Sequence, residues 1–327
     1  EVGGRQLKLT NLDKVLYPKA GFTKGQVIDY YARIAPALVP HLAGKPLTLK
    51  RYPNGVDQQF FFEKNATKHR PEWVKTAPIW SEGNKRNVNY ILVNDLATLI
   101  WVANLAAIEL HPSLSLAKDI TCPRSIVFDL DPGPPANIIQ CCQVAFWLRA
   151  IFERFGLESF PKTSGSKGLQ IYVPLNTKTS YDETKPFAHA LARLLEDQHR
   201  DLVVSDMKKA IRTNKVFVDW SQNDEHKTTV SVYALRARER PTVSTPVTWE
   251  EIELAHKKKD TKLLVFESHQ VLERVHKLGD LFAPLLTLKQ KLPKLAGIET
   301  GKAEAMATGL KIAAQAEKVP AKKPVSR

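Results

Sequence analysis

The sequence predicts an α/β fold in which a mixed central β-sheet is flanked by helices. Short β-branched runs at 125–130, 169–174 and 215–220 alternate with longer stretches of helical periodicity at 24–38, 138–155 and 184–199. The 327 residues can bury a sizeable core, and 43% apolar with 25% charged residues is ordinary for a globular chain. No internal repeat is visible, so a solenoid or propeller is not indicated.

Taken in order, Thr23 is positioned to cap helix 24–38, which places Val27, Tyr31, Ile34 and Leu38 on one face. An extended segment follows at 46–52. Residues 97–110 are apolar all round and predict a buried helix. Strand 125–130, helix 138–155, strand 158–162, strand 169–174 and helix 184–199 then follow. Strands are expected at 215–220 and 229–235, and Thr248 with Glu251 forms a capping box for a late helix.

The organisation is a body, residues 1–290, and a basic tail, 291–327, rich in Ala, Lys and Pro. The tail reads as a flexible extension with a short helix near 303–315. It holds eight Lys or Arg against three Glu, so of the net charge of +14 five units lie there and nine in the body. A body this basic points to a polyanionic partner, and nucleic acid is the commonest. Cys122, Cys141 and Cys142 make no disulfide framework, and no Cys/His spacing suggests zinc. Asn104 and Glu109 interrupt the longest apolar run, so no membrane partner is expected, and no signal peptide is evident. The expected location is the cytoplasm.

Chemistry collects at strand ends. In Phe128-Asp129-Leu130-Asp131-Pro132-Gly133, alternation projects both carboxylates to one face, about 7 Å apart along the strand. Pro132 and Gly133 then stop the strand. Paired carboxylates on a rigid edge suit divalent metal, and two such ions can clamp the attacking and leaving oxygens of a phosphoryl transfer. Asp219, ending Val216-Phe217-Val218, is a candidate third carboxylate. The segment Lys162-Thr163-Ser164-Gly165-Ser166-Lys167-Gly168 offers close backbone approach to phosphate oxygens, with donors from Ser164 and Lys167. It lacks Walker spacing, and a strand follows it rather than a helix. Arg212 precedes the Asp219 strand, and Arg236 and Arg238 follow Leu235, where guanidinium forks suit phosphate.

The order VFDLDPGP, TSGSKGL, KVFVDWSQN and YALRAR, preceded by NLDKVLYP, FFEKN and IELHPS, resembles the polymerase domain of bacterial ligase D. That domain belongs to the archaeo-eukaryotic primase superfamily and serves nonhomologous end joining. The resemblance covers roughly residues 2–285. It implies a primase-polymerase fold and a nucleotidyltransferase that extends primer 3′ ends at short gaps or breaks. Asp129, Asp131 and Asp219 would be the catalytic ligands of two Mn²⁺ or Mg²⁺ ions. His111, Ser164, Lys167, Arg212 and Arg236 would hold the nucleoside triphosphate. Lys14 and Lys24 would grip a downstream 5′-phosphate, and Phe61 and Phe62 would stack on template bases. Ribonucleotides and manganese would be favoured. A nucleoid location, a DNA ligase and an end-binding protein are implied as surroundings.

The chain departs from the family at Gln170, where a histidine that contacts the triphosphate is usual. Glutamine donates a hydrogen bond but carries no charge. No K-x-D-G ligase motif occurs, so ligation is expected from another domain or protein. Two further readings are a freestanding primase-polymerase, which would start strands on unprimed template, and a non-catalytic DNA-end binding module, which would bind gaps without adding nucleotide.

Overall fold

The computed structural model describes residues 1–293; the tail helix expected near 303–315 lies outside the described residues. The strands are β1 (Val15–Tyr17), β2 (Phe22–Thr23), β3 (Leu47–Arg51), β4 (Phe61–Glu63), β5 (Thr76–Ser81), β6 (Arg86–Ile91), β7 (Ala107–Pro112), β8 (Ser115–Leu116), β9 (Asp119–Pro123), β10 (Ser125–Pro132), β11 (Phe160–Thr163), β12 (Leu169–Pro174), β13 (Val203–Val204) and β14 (Val216–Asp219). The helices are α1 (Lys24–Leu42), α2 (Leu96–Asn104), α3 (Ile138–Arg154), α4 (Tyr181–Gln198), α5 (Trp249–Lys258), α6 (Ser268–Leu278) and α7 (Pro284–Thr287).

Two five-stranded sheets form, where one central sheet was expected. The first has the order β11-β12-β10-β14-β13 and is mixed, because only β13 and β14 run parallel. The second has the order β4-β3-β6-β5, with β7 also paired to β3. Each sheet has its own core. Phe128, Leu130, Ile171 and Val218 pack with Leu148, Phe152 and Leu191 of α3 and α4. Leu47, Leu49, Ile108 and Leu110 pack with Tyr31, Leu38 and Leu99 of α1 and α2. Cys141 and Cys142 are buried free thiols of the first core.

Helix ends follow their caps. The Thr23 hydroxyl accepts from Gln26 N at 3.3 Å, and Gln26 Oε1 accepts from Thr23 N at 2.8 Å. The Thr248–Glu251 box closes the same way. Helix α1 runs on to Leu42 through Pro36 and Pro40, beyond the expected stop at 38.

Two expected elements are corrected. The apolar segment 97–110 is a helix only to Asn104; Ala106 adopts φ 58°, and the chain returns as β7. An all-apolar run does not distinguish buried helix from buried strand. Residues 229–235 are buried but form no regular strand: Tyr233 has φ 62°, and Ser231 N donates to Leu110 O at 2.8 Å outside any ladder. The segment lies against the end of β7 because its backbone groups need partners there.

Candidate functional site

Strand β10 occupies the centre of the first sheet because Ile126, Phe128 and Leu130 bury on one face. Its other face carries Asp129 and Asp131. The register sets Asp129 directly opposite Asp219 on β14 and Gln170 on β12, and Gln170 in turn opposite Lys162 on β11. Asp219, Asp129, Gln170 and Lys162 therefore form one polar row across four strands, with neighbouring Cβ atoms about 5 Å apart.

Crowding shows in the proton affinities. Burial first, then the charges of Asp131 and Asp219, lift the Asp129 carboxyl far above the usual carboxylate range, while Gln170 and Lys162 counter the lift. Asp129 Oδ1 is buried without a hydrogen-bond partner. Asp131, though exposed at the strand exit, is lifted too, by loss of hydration among the surrounding protein atoms and then by Asp219; Arg212, Arg236 and Lys167 oppose it. Asp219 is engaged differently. Its Oδ1 accepts from Ser221 N at 3.0 Å and Ser221 Oγ at 2.6 Å, and its Oδ2 accepts from Gln222 Nε2 at 2.8 Å. In this arrangement no three carboxylate or imidazole groups among the described residues close on a single point suited to an ion.

The turn after β11 is folded around Ser164. Its Oγ accepts from Ser166 N at 3.2 Å and Gly168 N at 3.1 Å, so the hydroxyl holds the loop shape. A Cβ on Gly168 would stand 2.0 Å from Leu130 O, and one on Gly133 would stand 1.9 Å from Arg212 O. Only glycine permits these approaches. Lys167 is exposed at the tip of the turn. The Arg212 guanidinium stacks on Phe217 at 3.6 Å, and that of Arg236 donates to Ser164 O.

Glu109, at the centre of β7, ties the second sheet to the segment that carries Arg236 and Ala237. It is 2% exposed and accepts from Ala237 N at 3.1 Å. His111 Nε2 lies 2.9 Å, Arg236 Nε 3.2 Å and Lys50 Nζ 3.7 Å from its carboxylate. Burial works against its charge, but the hydrogen bond from His111 and the charges of Arg236 and Lys50 hold it well below the usual range. Burial lowers the His111 proton affinity, and Glu109 opposes this. Glu109 was missed in the sequence because 97–110 reads as helix, and Lys50, on the expected extended segment 46–52, had no visible partner without it; the polar beats of Glu109 and His111 in Ile-Glu-Leu-His were the available signal.

Phe61 and Phe62 on β4 are 45% and 56% exposed, and Phe60 beside them 44%. They are surface aromatics outside the core. The Lys50 ammonium lies 4.2 Å from the Phe60 ring, Arg51 lies over Phe61 at 5.0 Å, and Phe62 meets His111 edge-on at 6.3 Å. Lys14 and Lys24 come together through the bond from Lys24 N to Lys14 O at 2.8 Å. They differ in state. Lys14 is exposed and bonds Asn54 Oδ1 at 3.0 Å, whereas Lys24 is 5% exposed and donates to Thr10 O at 2.7 Å. Burial, Lys14 and Arg51 all lower the Lys24 proton affinity.

This architecture is the primase-polymerase fold: over 87% of the chain it superposes on 99% of the polymerase domain from Mycobacterium tuberculosis ligase D, solved in complex with DNA, with TM-score 0.80 and 38% identity. Residues 23–282 match the family model of the LigD primase-polymerase domain. The chain is 43% identical over 282 residues to the multifunctional non-homologous end joining protein LigD of Mycolicibacterium smegmatis, and 30% identical over 275 residues to the bifunctional LigD of Bacillus subtilis. The chain belongs to the ligase D primase-polymerase domain family. Those matches take in 86% and 84% of this chain but only 36% and 43% of the two relatives. Among the described residues no helix is long and apolar enough to cross a membrane.

Proposed function

We propose that the chain is a DNA-dependent nucleotidyltransferase that adds nucleotides to a primer 3′ end at gaps or breaks during end repair. The observation that carries this reading is the facing pair Asp129 and Asp219 with Asp131 beside them, set against Lys167, Arg212 and Arg236. The buried, unpartnered Asp129 oxygen and the raised proton affinities of two neighbouring carboxylates fit a divalent cation, and an all-oxygen donor set suits Mg²⁺ or Mn²⁺. Asp129, Asp131 and Asp219 would hold two such ions, with Asp219 first releasing Ser221 and Gln222. Bound there, the ions would supply Lewis-acid activation of the 3′-hydroxyl and neutralise the leaving pyrophosphate.

The chain's own groups do the rest. Lys167, Arg212 and Arg236 take the triphosphate charge, which grows on the β-phosphate as the bond to the α-phosphate breaks. Ser164 holds the loop that presents Lys167. Gln170 donates to Asp129 and keeps its orientation, and Glu109 aims His111 and Arg236 at the nucleotide. Phe61 and Phe62 stack on template bases, at about 1–3 kcal/mol per base. Lys14 and Lys24 bind the 5′-phosphate across the gap, and ribonucleotides and Mn²⁺ are preferred. A ligase and an end-binding protein would complete the repair.

The test is extension of a primer on gapped DNA, with and without a downstream 5′-phosphate, comparing ribo- with deoxynucleotides in Mg²⁺ and Mn²⁺. Incorporation is expected in the wild type. Asp129→Asn should lower it about a thousandfold, the cost of ~4 kcal/mol of lost transition-state stabilisation. Undiminished extension by Asp129→Asn sinks the reading.

A further inference from the structure

At the end of β10 away from the carboxylates, a small cavity of about 40 Å³ lies between the two sheets. Ser125, which lines it, is four residues before Asp129, about 13 Å along the strand and on the same face. The walls come from both halves of the fold: Ser113 follows β7, Lys45 follows α1, Arg124 precedes β10, Lys162 reaches in from β11 and Tyr172 from β12. Three of these residues are cations, and no carboxylate lines the cavity. His41 also borders it, but its ring is tied to Asp280 at 2.8 Å.

Lys45 and Arg124 are not compensated by any carboxylate among the described residues, and the only negative charge that reaches Lys162 is that of Asp129, which is itself disfavoured by burial. Lys162 is fully buried and its ammonium donates only to Ser244 Oγ at 2.5 Å and Val230 O at 3.2 Å, both neutral. Burial, then the charge of Arg124, pushes Lys45 down to about 8. Concentrated positive charge in a partly closed space costs free energy, and an anion is the group that offsets it. The volume exceeds the roughly 10–15 Å³ that one water needs.

We propose that this cavity is a binding site for one phosphate group, held by Arg124 and Lys45 with hydroxyls from Ser113 and Ser125. A planar guanidinium fork beside an ammonium matches tetrahedral oxyanion geometry. Lys45 and Arg124 are each half-buried, so the cavity is reached from solvent on that side. The phosphate is supplied either by a nucleic-acid backbone or as a free ion. The phosphate ligands Arg124 and Lys45 lie outside the carboxylate row, which shares only Lys162 with the cavity wall.

The experiment is lysine footprinting of the full chain. Acylation of Lys45 by an N-hydroxysuccinimide ester is followed by mass spectrometry in chloride, in inorganic phosphate at equal ionic strength, and with an unphosphorylated single-stranded oligonucleotide. Phosphate or the oligonucleotide should slow modification of Lys45 about tenfold, in line with a charge-assisted hydrogen bond. Protection by phosphate identifies a free ion as sufficient; protection by the oligonucleotide alone identifies a strand. Arg124→Gln should abolish the protection and Lys167→Gln should leave it. Equal rates of Lys45 modification in all three solutions overturn the proposal, with no variant needed. So does protection that survives Arg124→Gln or disappears with Lys167→Gln.

Discussion

Asp129 and Asp219 face each other directly across the antiparallel β10–β14 pair, and of the two only Asp219 has its carboxylate oxygens satisfied by neighbours. The pair is therefore asymmetric: one carboxylate is parked on a local cap, and the other is held in a place that disfavours its charge.

That asymmetry fixes a pH dependence. Burial and like charge raise Asp129 and Asp131 above their unfolded values near 4, so the native state keeps protons that the unfolded chain has lost. Stability in chelator should fall as pH rises from about 4 through the raised native values. Added Mn²⁺ should restore it, increasingly so toward higher pH. Thermal midpoints from pH 5 to 8, with and without Mn²⁺, check this; a chelated midpoint that climbs across the range would contradict it. Asp129→Asn should flatten the decline.

Gln170→His tests the departure from the family pattern. A histidine opposite Asp129 would carry charge at low pH, and a charge-assisted hydrogen bond exceeds a neutral one by about 1 kcal/mol. The KM for nucleotide should drop about fivefold at pH 6 with kcat little changed, and the gain should shrink at pH 8. Steady-state extension kinetics at both values measure it.

Lys14 and Lys24 should separate under mutation. Lys14→Ala removes an exposed cation, so it should cut the preference for a 5′-phosphorylated gap about tenfold with stability unchanged. Lys24→Ala leaves Thr10 O without its donor and should also cost about 1–3 kcal/mol in denaturant unfolding. Equal loss of binding on phosphorylated and unphosphorylated gaps would refute the assigned role.

Glu109→Gln should be the most disruptive of these changes. It leaves Arg236 and Lys50 without their shared counter-charge, which costs about 3–5 kcal/mol when the pair is buried. Urea unfolding should report the loss, and the KM for nucleotide should rise because Arg236 is released. A variant with unchanged stability would show that Glu109 is not the junction its contacts describe.

Much of the first sheet was legible in the sequence because its strands are short, β-branched and closed by Pro, Gly or Asp, as at Pro132, Gly133 and Asp219. The carboxylates, the Ser164 turn and the arginines could be named from strand-end logic, and motif order supplied their relation. The second sheet was largely hidden. Strands β4, β5 and β6 carry exposed or half-exposed residues without a clean apolar beat, and β7 continues the apolar run of α2. With β7 read as helix, Glu109 had no place. Lys162 opened the Ser164 turn segment in the sequence, but nothing local marks it as a lysine that the register carries into the interior.

The contact at Gly133 bears on how this site can vary. Gly133 N also donates to Lys215 O at 2.8 Å, so the exit of the carboxylate strand is keyed to the loop bearing Arg212 on both sides of the glycine. Carboxylate edge and guanidinium thereby share a single positional tolerance. A shift in either is handed to the other, which makes this junction the gauge block of the site and leaves any retuning for a longer or differently charged substrate to the outer aromatics and the Lys167 tip.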